Sequence, residues 1–239
     1  MRTTLGRTRE RHDIVPSTMD RAAAAARAGA PDGHVVLARR QTAGRGRAGR
    51  AWHSADDGGL YLSVVLRGFG GPAAAAGLTL AAGLGVAEAV RRLGAADVRL
   101  KWPNDVLLGD RKVAGILTEW VGDGAAVVGV GLNVAQTSFP GDLAGTATSV
   151  ALAAGAAPEP AAALEVLLET LGAAVASFRE KGLAWVVPEW TVRSGLWGRR
   201  ARAGGVAGVL RRLDLDGALV IETDDGTEHR LTAGALDLL

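Results

Sequence analysis

The chain has 239 residues, of which 48% are hydrophobic and 22% charged; these values are typical of a folded protein and exclude a disordered one. Its length allows one large domain and a small second one. It contains no cysteine, which excludes disulfides, thiolate metal sites and an enzyme-bound thioester, and its formal net charge of +2 does not by itself indicate a nucleic-acid partner.

The N-terminal residues and the apolar stretches bear on targeting. Residues 1–12 are polar and rich in arginine, and they predict a flexible tail because they lack the apolar segment of a signal peptide. The longest apolar stretch, residues 72–90, is mostly alanine and is interrupted by glycines, so it favours a buried helix over a membrane span. We therefore expect a cytoplasmic protein that does not enter a membrane.

The first predicted element is a helix. It begins after Ser17, which forms an approximate capping box with Asp20, and it ends near Gly29. The elements that follow in this half are a short strand at residues 34–39, a loop rich in glycine and arginine at 44–50, a strand at 60–66 and a helix at 72–93.

The middle of the chain predicts a sheet rich in antiparallel pairs. Residues 97–102 form a strand that ends at the turn sequence Trp-Pro-Asn-Asp. Hairpin signals at residues 109–110 and 122–124 then separate three β-prone runs, at residues 106–108, 112–121 and 125–134. A polar loop at 136–146 leads to helices at 149–154 and 161–181. Residues 13–192 are therefore predicted to form one domain of mixed, α+β class.

The last part of the chain has a different character. Short β-prone runs at residues 199–203, 206–213, 218–223 and 229–231 are joined by Asp-Gly turns. A meander of this length predicts a small SH3-like β-barrel at residues 193–239.

The loop at residues 44–50 reads Gly-Arg-Gly-Arg-Ala-Gly-Arg. Glycine lets backbone N–H groups approach a ligand closely, and guanidinium groups suit phosphate and carboxylate oxygens. The loop therefore predicts an anion site, and the alternative is a solvated basic loop. Nucleic acid is less favoured, because one tryptophan follows the loop instead of interleaved aromatic residues.

Lysine and asparagine are scarce, so their positions carry information. Only three of the 27 basic residues are lysine, and two of these, Lys101 and Lys112, are close in sequence. Lys101 precedes Asn104 and Asp105 at the end of a predicted strand, where side chains are free to face a ligand. The alternative is an ordinary strand-end turn beside a solvated hairpin lysine. Asn133, the second asparagine, ends a third strand after two glycines.

Taken together, these motifs resemble those of one family in order and spacing. The resemblance rests on Ser17-Thr18, on the loop 44–50 followed by Trp52, on Lys-Trp-Pro-Asn-Asp at 101–105, on Lys-Val-Ala-Gly-Ile-Leu at 112–117 and on Gly-Val-Gly-Leu-Asn at 129–133. It extends from about Ser17 to the C-terminus. The family is that of the biotin protein ligases, in its short form without an N-terminal DNA-binding domain.

The resemblance implies a fold and a reaction. The expected fold is a catalytic domain like that of class II aminoacyl-tRNA synthetases, followed by the small barrel. The expected enzyme activates the biotin carboxylate on ATP to give biotinyl-5'-adenylate and then transfers biotin to a lysine of a carrier protein. This reaction needs no enzyme nucleophile, which agrees with the absence of cysteine. Catalysis then depends on positioning and on charge stabilisation.

The resemblance also implies roles for individual residues. The catalytic groups are expected to be Lys112, Lys101 and Arg47. The residues expected to bind biotin or the adenylate are Ser17, Thr18, Gln41, Gly44, Arg45, Gly46, Arg47, Arg50, Trp52, Lys112, Gly115, Asn104 and Asn133. Mg²⁺ is expected with ATP, held mainly by phosphates and water. The four histidines lack metal-ligand spacing, so no metal site made of protein ligands is expected.

The expected partner is the biotin carboxyl carrier protein or domain of an acetyl-CoA, acyl-CoA or pyruvate carboxylase. The enzyme is expected to be a monomer or a weak homodimer. One departure affects the site: the family commonly has asparagine where this chain has Met19. No catalytic residue is assigned to the C-terminal module.

Three other functions share features with this sequence. Lipoate ligases and octanoyl transferases share the catalytic fold, but the transferases use a cysteine, and the ligases do not typically combine both central motifs. A DNA-binding repressor role is not expected, because too few residues precede Ser17 for a helix-turn-helix domain. It would otherwise rest on six arginines near the C-terminus, which are Arg193, Arg199, Arg200, Arg202, Arg211 and Arg212. Biotin carriers present their modified lysine between two methionines. Neither methionine of this chain adjoins a lysine, so a biotin carrier is excluded.

Overall fold

The computed structural model describes residues 5–55, 58–122 and 124–239. Its helices are α1 (Thr18–Arg27), α2 (Ala74–Arg92), α3 (Val150–Ala154), α4 (Pro160–Lys181) and α5 (Leu183–Ser194). Its strands are β1 (Arg9–Val15), β2 (Val35–Gln41), β3 (Leu60–Arg67), β4 (Val98–Lys101), β5 (Asp105–Leu108), β6 (Arg111–Gly122), β7 (Ala125–Leu132), β8 (Arg200–Ala203), β9 (Val206–Leu213), β10 (Leu219–Glu222), β11 (Glu228–Leu231) and β12 (Leu236–Leu238).

Seven strands form the main sheet, in the order β1-β2-β3-β7-β6-β5-β4. Strands β1 and β2 are parallel, and the other neighbours pair antiparallel. This mixed sheet, rich in antiparallel pairs, confirms the predicted α+β class. The two motifs at residues 101–105 and 112–117 are brought together because β4, β5 and β6 are consecutive neighbours.

The main sheet is covered on both faces, which explains why every residue of β3 except its last is buried. Leu62 and Val64 belong to a core cluster that includes residues of α2 and α4. Val65, on the opposite face, packs in a smaller cluster with the alanines of α1. Alternate side chains of residues 60–66 therefore point to opposite faces of the sheet, and both faces are buried.

Helices α2 and α4 are long and apolar enough to cross a membrane by length and composition alone. In α2 and α4 the apolar 18-residue stretches are 67% and 56% buried inside the fold, respectively. Both helices supply residues to the main core. This burial agrees with the interpretation of residues 72–90 as a core helix.

The second sheet is five-stranded and antiparallel, in the order β11-β10-β9-β8-β12. It joins the main domain at buried and charged points. The indole Nε1 of Trp102 donates to the Gly217 carbonyl at 3.1 Å, and Arg199 Nη1 lies 2.5 Å from Asp110 Oδ1. The turn after β4 and the hairpin tip after β5 therefore both rest on this module.

Several expectations need correction. The predicted tail is wrong for residues 9–12, which belong to β1 and pair with β2, while residues 1–4 lie outside the described part. The register puts Thr8, Glu10 and His34 on one face, and His34 Nε2 lies 3.1 Å from Glu10 Oε1. Long-range pairing of this kind leaves little mark in a polar local sequence.

Sequence reasoning missed α5 and β12. Helix α5 contains Pro188 and follows Gly182, and both residues disfavour a continued helix in a local pattern. The predicted boundary between residues 192 and 193 falls in the last turn of α5. Of the hairpin signal at 122–124, Asp123 lies outside the described residues.

The predicted capping box at the start of α1 is half right. Ser17 is the N-cap, and its Oγ accepts from Met19 N at 3.2 Å. Asp20 does not complete the box and instead forms an ion pair with Arg45.

Candidate active site

A cavity of about 710 Å³ lies between the main sheet, the arginine loop and the second sheet. Of the predicted binding residues, it is lined by Ser17, Thr18, Gln41, Arg45, Gly46, Arg47, Arg50, Trp52, Asn104, Lys112, Gly115 and Asn133, together with the predicted catalytic Lys101. Gly44 does not line it. A Cβ on Gly44 would lie 2.7 Å from the Trp52 carbonyl. The absence of a side chain at Gly44 therefore lets the two ends of the loop lie close together.

One end of the cavity carries neutral polar side chains joined in a chain of hydrogen bonds. The Ser63 hydroxyl donates to Thr18 Oγ1 at 2.8 Å, and the Thr18 hydroxyl and backbone N–H both donate to Gln41 Oε1. Gln41 Nε2 in turn donates to Ser54 Oγ at 2.8 Å. Ser17 and Thr18 are buried. These contacts hold the polar groups in fixed orientations before any ligand binds.

Met19 does not replace a polar contact at this end. Its side chain is buried in the smaller core cluster, and a Cβ on Gly129 would lie 2.6 Å from its sulfur. The thioether therefore packs α1 against β7 instead of offering a hydrogen bond to a ligand.

The middle of the cavity has an aromatic floor that depends on two glycines. Gly115 of β6 and Gly131 of β7 are paired across the ladder. A Cβ on Gly115 would lie 2.8 Å from Trp52, and one on Gly131 would overlap the indole ring. The paired glycines therefore let Trp52 lie against the sheet. Gly131 was not predicted as a site residue, although its place between Gly129 and Asn133 in a strand was the available signal.

The two predicted lysines lie at the other, charged end. Lys112 Nζ is 2.6 Å from Asp105 Oδ1 and 5.2 Å from the centre of the Trp52 ring. Burial lowers the pKa of Lys101, while the carboxylates of Asp105 and Asp237 oppose that shift. The sequence placed Asp105 in the motif but assigned it no role; in the structure it balances the charge of Lys112.

The arginine loop is a compact turn and not an extended flexible segment. Residues Arg47–Gly49 form a short 3₁₀ turn in which Ala48 and Gly49 have positive φ angles of 53° and 73°. The Gly46 N–H donates to the Arg50 carbonyl at 2.7 Å. Arg45 lies 2.5 Å from Asp20 and 3.3 Å from Glu119, and the hydrogen bond to Asp20 is the main cause that raises its pKa. Arg45 therefore fastens the loop to α1 and β6.

Arg47 differs from Arg45 because it faces neutral acceptors. Its Nη1 donates to the Gly234 carbonyl at 3.3 Å and to Asn104 Oδ1 at 3.4 Å. Burial lowers its pKa, although Arg47 stays protonated at any physiological pH. Its guanidinium has donors to spare, so Arg47 is available to a bound anion.

Both asparagines are fixed by backbone contacts. Asn104 Nδ2 donates to the Ile116 carbonyl and Asn133 Nδ2 to the Thr148 carbonyl, each at 2.9 Å. Each side-chain amide therefore holds a strand end, and the Asn104 oxygen also accepts from Arg47.

The structure adds lining residues that the sequence did not suggest. Phe139, Leu143, Thr146 and Ala147 come from the loop read only as polar. This loop is joined to Lys112, whose N–H donates to the Thr146 carbonyl at 2.8 Å. Phenylalanine in an otherwise polar loop was the signal for this wall. Arg199, Asp237, Leu238 and Leu239 line the cavity from the second sheet, and nothing in their local sequence marks them.

No set of three or more histidine, aspartate or glutamate side chains is gathered for a metal ion within residues 5–55, 58–122 and 124–239. The acidic residues that line the cavity, Asp105, Asp110 and Asp237, lie beside basic groups.

The chain is similar to known proteins in family, in sequence and in structure. Residues 13–134 match the model of the Biotin/lipoate A/B protein ligase family. The "Biotin--[acetyl-CoA-carboxylase] ligase" of Mycobacterium tuberculosis is 40% identical over 205 residues, which cover 82% of this chain and 76% of that protein. The "Bifunctional ligase/repressor BirA" of Escherichia coli is 38% identical over 200 residues and 80% of this chain. The chain spans 62% of the length of that relative.

Among solved structures, a "Biotin protein ligase from Aquifex aeolicus in complex with biotin and ATP" superposes with a TM-score of 0.86 at 29% sequence identity. The match covers 98% of this chain and 99% of the other. The similarity therefore includes both sheets, and not the seven-stranded sheet alone.

Proposed function

The chain belongs to the biotin/lipoate A/B protein ligase family, and from this premise we propose that it is a biotin protein ligase that joins biotin to a carrier-protein lysine through biotinyl-5'-adenylate. One observation carries the proposal. A single cavity joins a neutral end with preset hydrogen bonds to a charged part lined by two lysines and four arginines. A ligand with an uncharged polar ring and a carboxylate tail, joined to a nucleotide phosphate, matches that division.

At the neutral end, the uncharged ring of biotin replaces water on Ser17, Thr18 and Gln41. Ser63 and Ser54 already fix the orientations of Thr18 and Gln41, and Ser17 is held by its capping bond from Met19, so little ordering accompanies binding. The apolar part of the ligand packs on Trp52. The carboxylate of the bound biotin then points toward Lys112.

At the charged end, a biotin carboxylate oxygen attacks the α-phosphorus of ATP, and pyrophosphate leaves. Lys112 and Lys101 stabilise the negative charge on the carboxylate and the phosphate as they approach each other. Arg47 holds the adenylate once it has formed. In the second step the carrier lysine attacks the acyl carbon, and AMP leaves. The side chains position and stabilise the reactants and form no covalent bond with them.

The proposed reaction sets the cofactor and partner. Mg²⁺ accompanies ATP, bound mainly by phosphate oxygens and water, which requires few protein ligands. The carrier is a biotin carboxyl carrier protein or domain of a carboxylase. The location is the cytoplasm, and the chain acts as a monomer or a weak homodimer.

A repressor role is not part of this proposal. Five of the six C-terminal arginines that would form a basic face have carboxylate partners. These partners are Glu88 and Glu189 for Arg193, Asp110 for Arg199, Asp224 for Arg200, Glu222 for Arg211 and Glu228 for Arg212. Each of these carboxylates offsets positive charge on this face, which lowers its attraction for a nucleic-acid backbone. Binding of a random duplex that weakens steeply with salt would contradict this part of the proposal.

The decisive experiment compares two acids. Purified protein is incubated with ATP, Mg²⁺ and either biotin or lipoate, and pyrophosphate release is measured. Biotin but not lipoate supports release if the proposal holds. Equal release with both acids, or none with biotin, would overturn it.

A further inference from the structure

Six basic side chains line the cavity, and they differ in what holds them. They are Arg45, Arg47, Arg50, Lys101, Lys112 and Arg199. Arg45 is held by two carboxylates and Lys112 by one, beside the aromatic floor. Arg199 comes from the second sheet, and its Nη1 lies 2.5 Å from Asp110 at the tip of the β5–β6 hairpin.

We propose that Arg199 binds the leaving pyrophosphate of the nucleotide and exchanges Asp110 for it when ATP enters the cavity. This inference rests on the proposed ligase function. It makes Arg199 a substrate-binding residue that comes from the C-terminal module, to which the sequence assigned no role.

The backbone at Arg199 is fixed while its side chain is free to move. The Arg199 N–H donates to the Leu196 carbonyl at 3.1 Å, and the Arg199 carbonyl accepts from Leu210 at 2.9 Å. The second bond holds the start of β8 against β9, and the first closes the turn that precedes β8. About a third of the Arg199 side chain is exposed, at 34%. The guanidinium can therefore swing from one anion to another without disturbing the sheet.

Release of Asp110 costs little. The Asp110 side chain is 60% exposed, and exposed ion pairs contribute little to stability. A second cation also remains within reach, because Arg99 Nη1 lies 3.6 Å from the same oxygen. Asp110 therefore stays paired after Arg199 has left it.

The chemistry of the first step supplies the reason for such a cation. The new bond joins a carboxylate oxygen to the α-phosphorus, and the bond between that phosphorus and the bridging oxygen to the β-phosphate breaks. The electron pair of the broken bond leaves on pyrophosphate. A guanidinium fork near the leaving group stabilises that charge and adds directional hydrogen bonds to the phosphate oxygens.

The alternative is that the Arg199–Asp110 pair only fastens the second sheet to the hairpin. The two roles predict different mutant behaviour. A fastening pair loses the same function whichever partner is removed. A phosphate-binding arginine is weakened by its own removal, but removal of its resting partner frees it.

The test uses Arg199→Gln, Asp110→Asn and the control Arg200→Gln in the full chain. Arg200 is the next residue, pairs with Asp224 in the same two-bond geometry, and does not line the cavity. Two quantities are measured with biotin and ATP: the KM for ATP, and inhibition of biotin-dependent turnover by added pyrophosphate. Biotin affinity and thermal unfolding are measured on the same samples.

If the inference holds, Arg199→Gln weakens pyrophosphate inhibition and raises the KM for ATP by about 10-fold, since a hydrogen bond to a charged group is lost. Asp110→Asn then leaves both unchanged or strengthens them, and Arg200→Gln matches wild type. Equal losses in Arg199→Gln and Asp110→Asn would overturn the inference, as would a wild-type response in Arg199→Gln. Absence of biotin-dependent turnover in the wild type would instead overturn the proposed function.

Discussion

The two ends of the cavity are built on different principles. At the neutral end, Thr18, Gln41 and Ser63 form a chain of buried hydrogen bonds that is complete without a ligand. At the charged end, Lys112 forms an ion pair with Asp105, and Arg199 forms one with Asp110. The neutral end is therefore suited to recognise one shape, because its polar groups are held in fixed orientations before a ligand binds. The charged end is suited to chemistry, because its cations can move from a protein carboxylate to a substrate anion.

The largest expected effect comes from the charged end. Lys112→Ala should slow adenylate formation by about 10²- to 10³-fold, because one preorganised cation is lost from the reacting groups. Single-turnover formation of biotinyl-adenylate measures this effect, and circular dichroism checks the fold. Lys112→Arg keeps the charge but not the compact ammonium, and we expect its rate to fall as well. A wild-type rate in Lys112→Ala would show that the charged end does not depend on this residue.

Arg47 sharpens the contrast, since it lies at the charged end but contacts neutral acceptors. Arg47→Gly removes the fork that reaches Asn104 and Gly234, and it loosens the loop. We expect the mutant still to consume ATP and to release the adenylate faster, by about 10-fold or more for one lost charged hydrogen bond. Labelling of bystander proteins with accessible lysines measures the leak.

Arg47→Lys is the matched control, because it keeps the charge without the fork. Loss of adenylate synthesis in Arg47→Gly would instead assign Arg47 to the chemistry of the first step. Wild-type behaviour of Arg47→Gly would show that the Arg47 side chain contacts only solvent.

A substitution at the neutral end should affect binding and spare the chemistry. Thr18→Val keeps the shape but leaves Gln41 and Ser63 without the hydroxyl, so biotin should bind about 10-fold more weakly while the KM for ATP is unchanged. Titration calorimetry measures the first quantity. Thr79→Val is the control, because that hydroxyl pairs with Thr118 away from the cavity. An equal change in both substrates would show that the two ends are not separate.

The smallest expected effect is a shift in pH dependence. Burial lowers the pKa of Lys101, so its charge is lost at a lower pH than that of an ordinary lysine, and activity should fall there. The carboxylate of Asp237 opposes this shift, so Asp237→Asn should move the alkaline limb of kcat/KM to still lower pH, by less than about one unit.

The sign for stability is opposite to the sign for activity. Between the folded and unfolded pKa of Lys101, the unfolded chain binds the proton, so the free energy of unfolding rises with pH across that window. Asp224→Asn, outside the cavity, serves as the control for the loss of one carboxylate. An unchanged alkaline limb in Asp237→Asn would remove Lys101 from the groups that set it.

Local sequence was sufficient to predict the elements that carry their own turn and periodicity signals. It also singled out the site residues whose types are scarce in this chain, such as lysine and asparagine. The turn after Lys101, the loop at 44–50, the core helix α2 and the pairing of β6 with β7 all follow from local composition, periodicity and turn residues. Nearly all the predicted site residues line one cavity, because their motifs lie at strand ends that the antiparallel order brings together.

The group that each of these residues contacts depends on the packing of distant segments. Arg45 and Arg47 are indistinguishable in a Gly-Arg-Gly-Arg sequence, yet one is held by two carboxylates and the other faces neutral acceptors. Arg199, among many arginines of its module, reaches the cavity because of where the second sheet docks. Strand β1 forms in a polar segment because a distant strand pairs with it. Such features depend on contacts between residues far apart in the chain, and local sequence does not encode them.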